Sequence, residues 1–197
     1  MLGYIREVLW RGGQKNIEKV IAADLFPFIC KFMDAMEHTE IMVEVTWILT
    51  NISSWEDTSI MDFILNNDFK LIEYSLQMIW SDSAKVKEQA LWTLANIMGD
   101  NQKAIEKIIF SVDVDFLKEI TNICDAGQIN IGLARTWVWT LSNACKLLNK
   151  NEHFITKVIE WLSTFIFIGD KDVYIDACYA FKHLTDVEEP NNELAKF

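Results

Sequence analysis

A tryptophan followed four residues later by an asparagine occurs three times in this 197-residue chain, at nearly constant spacing. The pairs are Trp47 and Asn51, Trp92 and Asn96, and Trp139 and Asn143. Their tryptophans recur with a period in the forties, and a weaker copy, Tyr179 with His183, follows at a similar interval. Positions i and i+4 share one face of an α-helix, so each pair is predicted to lie on a single helical face. A repeat of this length predicts a chain of stacked helical units.

Apolar residues recur with helical spacing along the chain, and a period in the forties is typical of armadillo and HEAT solenoids. We therefore predict an all-α fold, a right-handed armadillo-repeat superhelix of about four repeats in a single domain. The predicted divisions are a partial repeat at 1–12, repeats at 13–55, 56–99, 100–149 and 150–187, and an exposed tail at 188–197. Within a repeat, a short helix (17–22, 60–65, 103–108) precedes a second helix (26–36, 69–79, 116–124) and then the long helix with the Trp/Asn pair.

Composition and charge exclude several classes of function. Hydrophobic residues make up 51% of the chain, with only two prolines and seven glycines, which favours packed helices over disorder. A net charge of −11 disfavours nucleic acid and anionic membranes and favours basic partners, with simple solubility as an equal alternative. No apolar run has the length that a bilayer-spanning helix needs.

Cysteine and histidine form no pattern that indicates chemistry. The four cysteines, Cys30, Cys124, Cys145 and Cys178, are scattered through apolar segments and are predicted to be buried free thiols. The sequence contains no glycine-rich phosphate loop and no nucleophile with a paired base. We therefore expect a protein that is not an enzyme and that holds no cofactor or metal.

Equivalent helices of a solenoid stack side by side, so the Trp/Asn pairs predict a ladder along one groove. Two tryptophans can sandwich the stem of a lysine or arginine, with a cation–π energy of about 0.5–2 kcal/mol per contact. An asparagine amide offers a donor and an acceptor for an extended backbone. The alternative is that these tryptophans are core residues and the asparagines are helix C-caps.

Carboxylates near the ladder are predicted to pair with lysine head groups, with solvated surface charge as the alternative. Glu88 precedes Trp92 by four residues, and Asp100 follows Asn96 by four. Asp172 and Asp176 precede Tyr179 by seven and three residues. The other tryptophans are predicted to pack inside the protein: Trp10, Trp80 and Trp161 in the core, and Trp137 between repeats.

The strings TWILTNIS, EQALWTLANIMGDN, TWVWTLSNACK and DACYAFKHLTD resemble consecutive third helices of importin alpha, the armadillo adaptor for nuclear import. The resemblance covers nearly the whole chain, in the family's order. It implies binding of classical nuclear localisation signals in the family's major site, and shuttling between cytoplasm and nucleus. By position, it implies that Trp47, Trp92 and Trp139 sandwich lysines, that Asn51, Asn96 and Asn143 clamp the peptide backbone, that Asp100 pairs with the critical lysine, and that Gln89, Asp172 and Asp176 make peripheral contacts.

The sequence also departs from the family's pattern. It has no counterpart of the basic arm that binds importin beta, the family's expected partner, and none of the later repeats that form the minor site. Trp55 stands where glycine is usual, and Tyr179 and His183 stand where the family has tryptophan and tyrosine. Arg135 matches an arginine that we expect to order the ladder or to bridge to Asp176. The alternative to an import adaptor is an armadillo scaffold for protein–protein interaction with lost or altered signal recognition.

Overall fold

The structure is a computed structural model that describes residues 1–33, 38–54, 62, 65–66, 70–112, 115, 131–147 and 152–185, without the side chains of Asp100 and Leu147. Its α-helices are α1 (Leu2–Gly12), α2 (Gln14–Ala22), α3 (Phe26–Lys31), α4 (Thr39–Ser53), α5 (Lys70–Met78), α6 (Ala84–Asp100), α7 (Gln102–Ser111), α8 (Ile131–Leu147), α9 (Glu152–Phe165) and α10 (Lys171–Thr185). A 3-10 turn, Ile166–Ile168, joins α9 to α10, and the described residues form no β-strand. None of the described helices combines the length and the apolar content that crossing a bilayer requires.

Five helices form a row in which α1, α4, α6, α8 and α10 each pack against the next. Other helices pack against members of this row: α2 on α1, α5 and α7 on α6, and α9 on α10. Each helix therefore contacts mainly its neighbours, which confirms the predicted α-solenoid. The repeat boundaries remain predictions.

The predicted short and second helices agree with the structure where it describes them. The segments 17–22, 69–79 and 103–108 correspond to α2, α5 and α7. The segment 26–36 is helical only over α3, because residues 34–37 lie outside the described part. The segments 60–65 and 116–124 fall largely or wholly outside it, as does the tail.

Helix α6 is enclosed on several sides because four other helices pack against it. Its apolar side chains are almost completely buried: Val86, Ala90, Leu91, Leu94, Ala95, Ile97 and Met98. Full burial of a leucine or isoleucine side chain stabilises the fold by about 1.5–3 kcal/mol, so these contacts hold α6 firmly in the row. What remains accessible is one stripe at 85, 88, 89, 92, 96 and 99.

A polar seam joins α4 to α6 and fixes their relative position. The hydroxyl of Thr50 donates to the main-chain oxygen of Gln89 at 2.9 Å and lies 2.9 Å from the hydroxyl of Thr93. Thr93 also donates to the oxygen of Gln89, at 2.9 Å. Directional bonds of this kind set the register of two helices more narrowly than apolar contacts alone.

Two polar side chains cap the N-termini of helices at points where the chain changes direction. The Asn101 side chain accepts from the amide of Ala104 at 3.0 Å and caps α7. Asp170 Oδ1 accepts from the amides of Asp172 and Val173, at 3.1 Å each, and caps α10. Gly169, which comes just before, has φ +78°, a left-handed conformation that favours glycine.

The predicted burial of the outlying tryptophans is confirmed for two and wrong for two. Trp137 and Trp161 are buried, with ring centroids 5.8 Å apart. Trp10 and Trp80 are 72% and 51% exposed. The side chains that α1 buries among the described residues are Ile5 and Leu9, and Trp10, one residue further on, points to a different side of the helix. Trp80 lies in the turn after α5, beyond the helix face that enters the core.

The predicted burial of the cysteines holds for Cys145 alone. Cys145 is buried, Cys30 is half-buried and Cys178 is exposed. Cys178 lies on α10, the last helix of the row in the described part, so no further helix there covers it. Cys124 lies outside the described residues.

Replacing Trp137 by alanine is expected to lower the free energy of unfolding by about 3–5 kcal/mol, because the indole is buried against Trp161 and leaves a large cavity. Trp139→Ala, two residues away on the exposed side of α8, is the matched control and should cost about 1 kcal/mol. Urea unfolding followed by circular dichroism measures both. Equal losses would contradict the assignment of these two tryptophans to opposite sides of α8.

Candidate functional site

One accessible stripe on each long helix carries the candidate site. On α6, Trp92 is 36% exposed and Asn96 is half-buried; on α8, Trp139 is 37% exposed and Asn143 is half-buried. Trp47 on α4 is also half-buried. Because α4, α6 and α8 pack in series, the three stripes lie side by side. The exposure of Trp92 and Trp139 excludes the alternative that these two are core residues.

The indoles of Trp92 and Trp139 touch each other. Their ring centroids are 5.6 Å apart, with the planes inclined at 52°. A methylene stem held between two rings needs about 3.5–4.0 Å to each, and hence roughly 7–8 Å between the rings. This slot is therefore closed in the structure. A side chain enters it only if the two rings separate, which breaks an aromatic contact of about 0.5–1.5 kcal/mol.

The ring of Trp47 already makes a cation–π contact with an arginine of the same chain. The guanidinium carbon of Arg6, on α1, lies 4.5 Å from the centroid of the Trp47 ring. The same guanidinium donates to Glu44 at 2.7 Å, one turn before Trp47 on α4. Arg6 therefore covers one face of Trp47 and holds the ring in place. Unlike Trp92 and Trp139, Trp47 and Trp92 make no ring contact in the described part of the chain.

The three asparagines are in different states. Asn51 is buried, and its amide nitrogen has no hydrogen-bond partner within the described part of the chain, an arrangement that costs about 1–3 kcal/mol. The Asn96 amide nitrogen donates across the seam to the oxygen of Thr50 and the hydroxyl of Ser53, at 3.3 Å each. Asn143 accepts from the ammonium group of Lys146 at 3.0 Å.

The alternative that these asparagines are helix C-caps is wrong for the first two. The C-cap of α4 is Ser54 and that of α6 is Asn101, so Asn51 and Asn96 lie inside their helices. Their amides are therefore not needed to end a helix. The Asn96 amide oxygen accepts none of the hydrogen bonds found in the described residues.

The structure describes only some of the side chains that were predicted to contact a ligand beside the Trp/Asn pairs. Glu88 is exposed beside Trp92, whereas the side chain of Asp100 lies outside the described part. Gln89 is half-buried, and its main-chain oxygen accepts from Thr50 and Thr93. Trp55 also lies outside the described residues.

Asp172, Asp176 and Tyr179 lie on α10, where Tyr179 is exposed and Asp176 half-buried. Burial raises the pKa of Asp176, and the nearby carboxylate of Asp172 adds to this shift. The described residues contain no group of three or more His, Cys, Asp and Glu side chains placed to hold a metal ion.

Arg135 binds a different acid from the one expected. Its guanidinium donates to Asp170 through two nitrogens, at 3.0 and 2.7 Å, and a third nitrogen lies 3.1 Å from Asp172. The expected bridge to Asp176 is therefore wrong. Hydrogen bonding to Arg135 lowers the pKa of Asp170. The carboxylate of Asp172 is already paired in the structure, so it meets a ligand lysine only in competition with Arg135.

Sequence reasoning missed Arg6, Thr50, Ser53 and Asp170. A signal existed for Arg6, because it precedes Trp47 by an interval close to the repeat period and so occupies the ladder position of α1. Thr50 and Ser53 carry no distinguishing pattern, since small hydroxyl residues are common inside helices. Asp170 follows a glycine before a helix, which is a recognisable capping pattern but gives no indication of its partner on α8.

Sequence comparison confirms the resemblance to importin alpha. The importin subunit alpha-2 of Caenorhabditis elegans is 30% identical over 197 residues, covering 98% of this chain and 35% of that protein. The importin subunit alpha-1b of Oryza sativa subsp. japonica is 27% identical over 171 residues, covering 86% of this chain and 31% of that protein. The chain thus spans about a third of the length of these relatives. No protein-family model matches it.

Solved structures confirm the armadillo fold. A computationally designed armadillo repeat protein for modular peptide recognition superposes with a TM-score of 0.73 at 19% identity, covering 92% of this chain and 73% of that one. A designed armadillo repeat protein in complex with the peptide (KR)4 gives a TM-score of 0.69 at 20% identity, with the same coverage. At these identities the likeness concerns the fold alone.

Replacing Asp170 by asparagine is expected to lower the melting temperature at pH 7, because the ion pair with Arg135 is lost while an asparagine still caps α10. The folded pKa of Asp170 is depressed, so its stabilisation is present above the ordinary value of about 3.9 and is lost as the pH falls through the lower folded value. The difference between variant and wild type should therefore shrink below about pH 4, measured by thermal unfolding at stepped pH. A difference independent of pH would assign the effect to packing instead of charge.

Proposed function

We propose that this chain, an armadillo-repeat relative of the importin alpha subunits, is a binding adaptor for extended basic peptides, and that its ligands are nuclear localisation signals. The observation that carries this proposal is the set of Trp/Asn pairs, four residues apart, on the adjacent helices α4, α6 and α8, with both members accessible on α6 and α8 and the tryptophan half-buried on α4. A core requires no such arrangement, whereas an extended ligand crossing a row of helices meets the same pair of groups at each step.

We place the first basic side chain between Trp47 and Trp92, whose rings are not in contact. Its stem would lie against the indoles, and its charged head would reach the exposed Glu88 on the same stripe. The amide oxygen of Asn96, which accepts no hydrogen bond within the described residues, would take a main-chain amide of the ligand. The amide nitrogen of Asn51 is buried in this structure and so is not accessible to a ligand without rearrangement. Entry of a second side chain between Trp92 and Trp139 would require those rings to separate.

Charge complementarity supports a basic ligand. The net charge of −11 attracts cationic peptides over several ångströms and raises their association rate. A designed protein of the same fold is described in complex with the basic peptide (KR)4, so this fold is able to hold such a ligand.

We place the chain in protein import because its curated relatives are importin alpha subunits. On this proposal it shuttles between cytoplasm and nucleus, acts by binding and not by catalysis, and has importin beta as a further expected partner. Neither nucleic acid nor a membrane surface fits the acidic charge.

A second function, a scaffold without signal recognition, is favoured by two observations. The Trp92–Trp139 contact closes one slot, and Arg6 covers one face of Trp47. In both contacts a ring of the ladder is occupied by another side chain of the same protein. A scaffold would therefore bind a partner segment of another kind in the groove, or would not use the groove.

The deciding experiment is fluorescence polarisation with a labelled lysine-rich localisation peptide and the same peptide with its critical lysine changed to alanine. We expect micromolar or tighter binding that is lost with the alanine peptide. Trp92→Ala should weaken binding about tenfold, which corresponds to about 1.4 kcal/mol and lies within the cation–π range. Asn96→Ala should weaken it similarly, because the backbone loses an acceptor.

The matched control is Trp80→Ala, which removes a more exposed indole (51% against 36% for Trp92) from the turn after α5, outside the three stripes, and should leave peptide affinity unchanged. Circular dichroism verifies that each variant is folded. Unfolded Trp92→Ala and Asn96→Ala proteins would favour a structural role for the ladder. Binding that is indifferent to the lysine would favour the scaffold.

Salt should weaken the complex, because attraction between an acidic groove and a cationic peptide is screened over about 10 Å at 0.1 M ionic strength. We expect the dissociation constant to rise several-fold when the salt concentration is raised about tenfold. The measurement is the same polarisation titration at stepped salt concentrations. A flat response would contradict a charged groove and leave only apolar contacts with the indoles.

A further inference from the structure

The ladder has one more aromatic side chain than the Trp/Asn pattern contains. Arg6 precedes Trp47, and Trp10 precedes Asn51, by the same interval, which is close to the repeat period. Helix α1 packs against α4 at the start of the row, and Arg6 contacts the Trp47 ring as Trp92 contacts Trp139. Arg6 therefore occupies the tryptophan position of α1, and Trp10 occupies its asparagine position, on the same helical face.

Trp10 is an open indole at this position. It is 72% exposed and has no aromatic, ionic or hydrogen-bonded partner in the described part of the chain. Where α4, α6 and α8 offer an amide to a ligand backbone, α1 offers a flat apolar face and one N–H donor. A side chain with a flat apolar surface gains most from such a face, by stacking on it.

The charges around Trp10 differ from those of the rest of the groove. Helix α1 carries two arginines and one glutamate, whereas the chain as a whole has a net charge of −11. Arg6 is paired with Glu44, and Arg11 with Glu7, so no carboxylate on α1 is left to receive a ligand cation. Both arginines are neutralised by these ion pairs, so a lysine head at Trp10 would find no unpaired carboxylate on α1, whereas Glu88 is exposed one turn from Trp92. This end therefore offers a basic side chain no charged partner and favours an uncharged one.

We infer that Trp10 forms an aromatic subsite that binds a phenylalanine-like side chain of the same extended peptide whose basic residues occupy the slots beyond Trp47. This inference rests on the proposed function and extends it, because it gives the groove two chemically different ends. A ligand that fits both ends combines a basic cluster with one aromatic residue at a fixed distance.

That distance follows from the packing. Neighbouring helices lie about 8–10 Å apart, and an extended chain advances about 3.3–3.6 Å per residue. The slot between Trp47 and Trp92 is about one and a half helix spacings from α1, or roughly four residues of extended peptide. The aromatic residue should thus lie about four residues from the lysine in that slot, on the Trp47 side.

The test uses the 197-residue chain and a fluorescein-labelled lysine-rich peptide in which one phenylalanine is moved from three to six residues away from the critical lysine, in both chain directions. Fluorescence polarisation should show about three- to tenfold tighter binding at one of these positions. Trp10→Ala should abolish this gain. It should leave the affinity for the phenylalanine-free peptide within about twofold, because the solvent-exposed indole of Trp10 contributes only by stacking on an aromatic side chain of the ligand. Trp80→Ala, which removes another exposed indole, should keep the gain.

Several outcomes would overturn the inference. No gain at any position, or a gain that persists in Trp10→Ala, would show that Trp10 is not a subsite while the proposed function stands. A larger gain from lysine than from phenylalanine at the same position would refute its aromatic preference. A dimer seen by light scattering that Trp10→Ala dissociates would make this face a self-interface. If the phenylalanine-free peptide fails to bind at all, the proposed function fails and the subsite fails with it.

Discussion

Enclosure of the long helices is the constraint on which the rest of the structure depends. Helix α6 packs against α4, α5, α7 and α8, so its apolar side chains are used on several sides and only a narrow stripe stays accessible. Whatever lies on that stripe is presented in line with the stripes of α4 and α8. The line of accessible groups is therefore a consequence of burial: the residues that fix the row of helices also determine which positions stay exposed. A defect in one long helix would disturb both of the slots that it borders.

Local periodicity made much of this predictable. The period in the forties and the i, i+4 pairs depend on helix geometry, which is the same in every repeat, so the row of helices and the shared face follow from the sequence. The 5.6 Å contact of Trp92 with Trp139 does not, because it depends on rotamers and on the rotation of two helices about their axes. Three acids, Asp170, Asp172 and Asp176, lie at or near the start of α10. Arg135 pairs mainly with Asp170, which is held at the N-terminus of α10 by its capping hydrogen bonds. Trp10 was expected in the core from its residue type, but burial also needs a neighbouring helix to cover it.

Internal contacts set the threshold that a ligand must exceed. The guanidinium of Arg6 makes a cation–π contact with Trp47 within the chain. The contact between Trp92 and Trp139 must break before a side chain enters between these two rings. Each interaction lowers the apparent affinity of a peptide by the free energy needed to displace it. The same two contacts keep the indoles ordered, which reduces the entropy lost on binding. On the proposed function, a basic segment with only one or two suitable side chains would gain too little to separate Trp92 from Trp139, so this contact would favour longer basic clusters.

Asp170 both caps α10 and pairs with an arginine on α8, which links the folding of these two helices. One carboxylate accepts from the first amides of α10 and from the guanidinium of Arg135 on α8. Fraying of the first turn of α10 would therefore release the ion pair as well, so that turn opens only at a cost shared with α8. A single side chain thus makes opening at the start of α10 cooperative with its contact to the neighbouring helix.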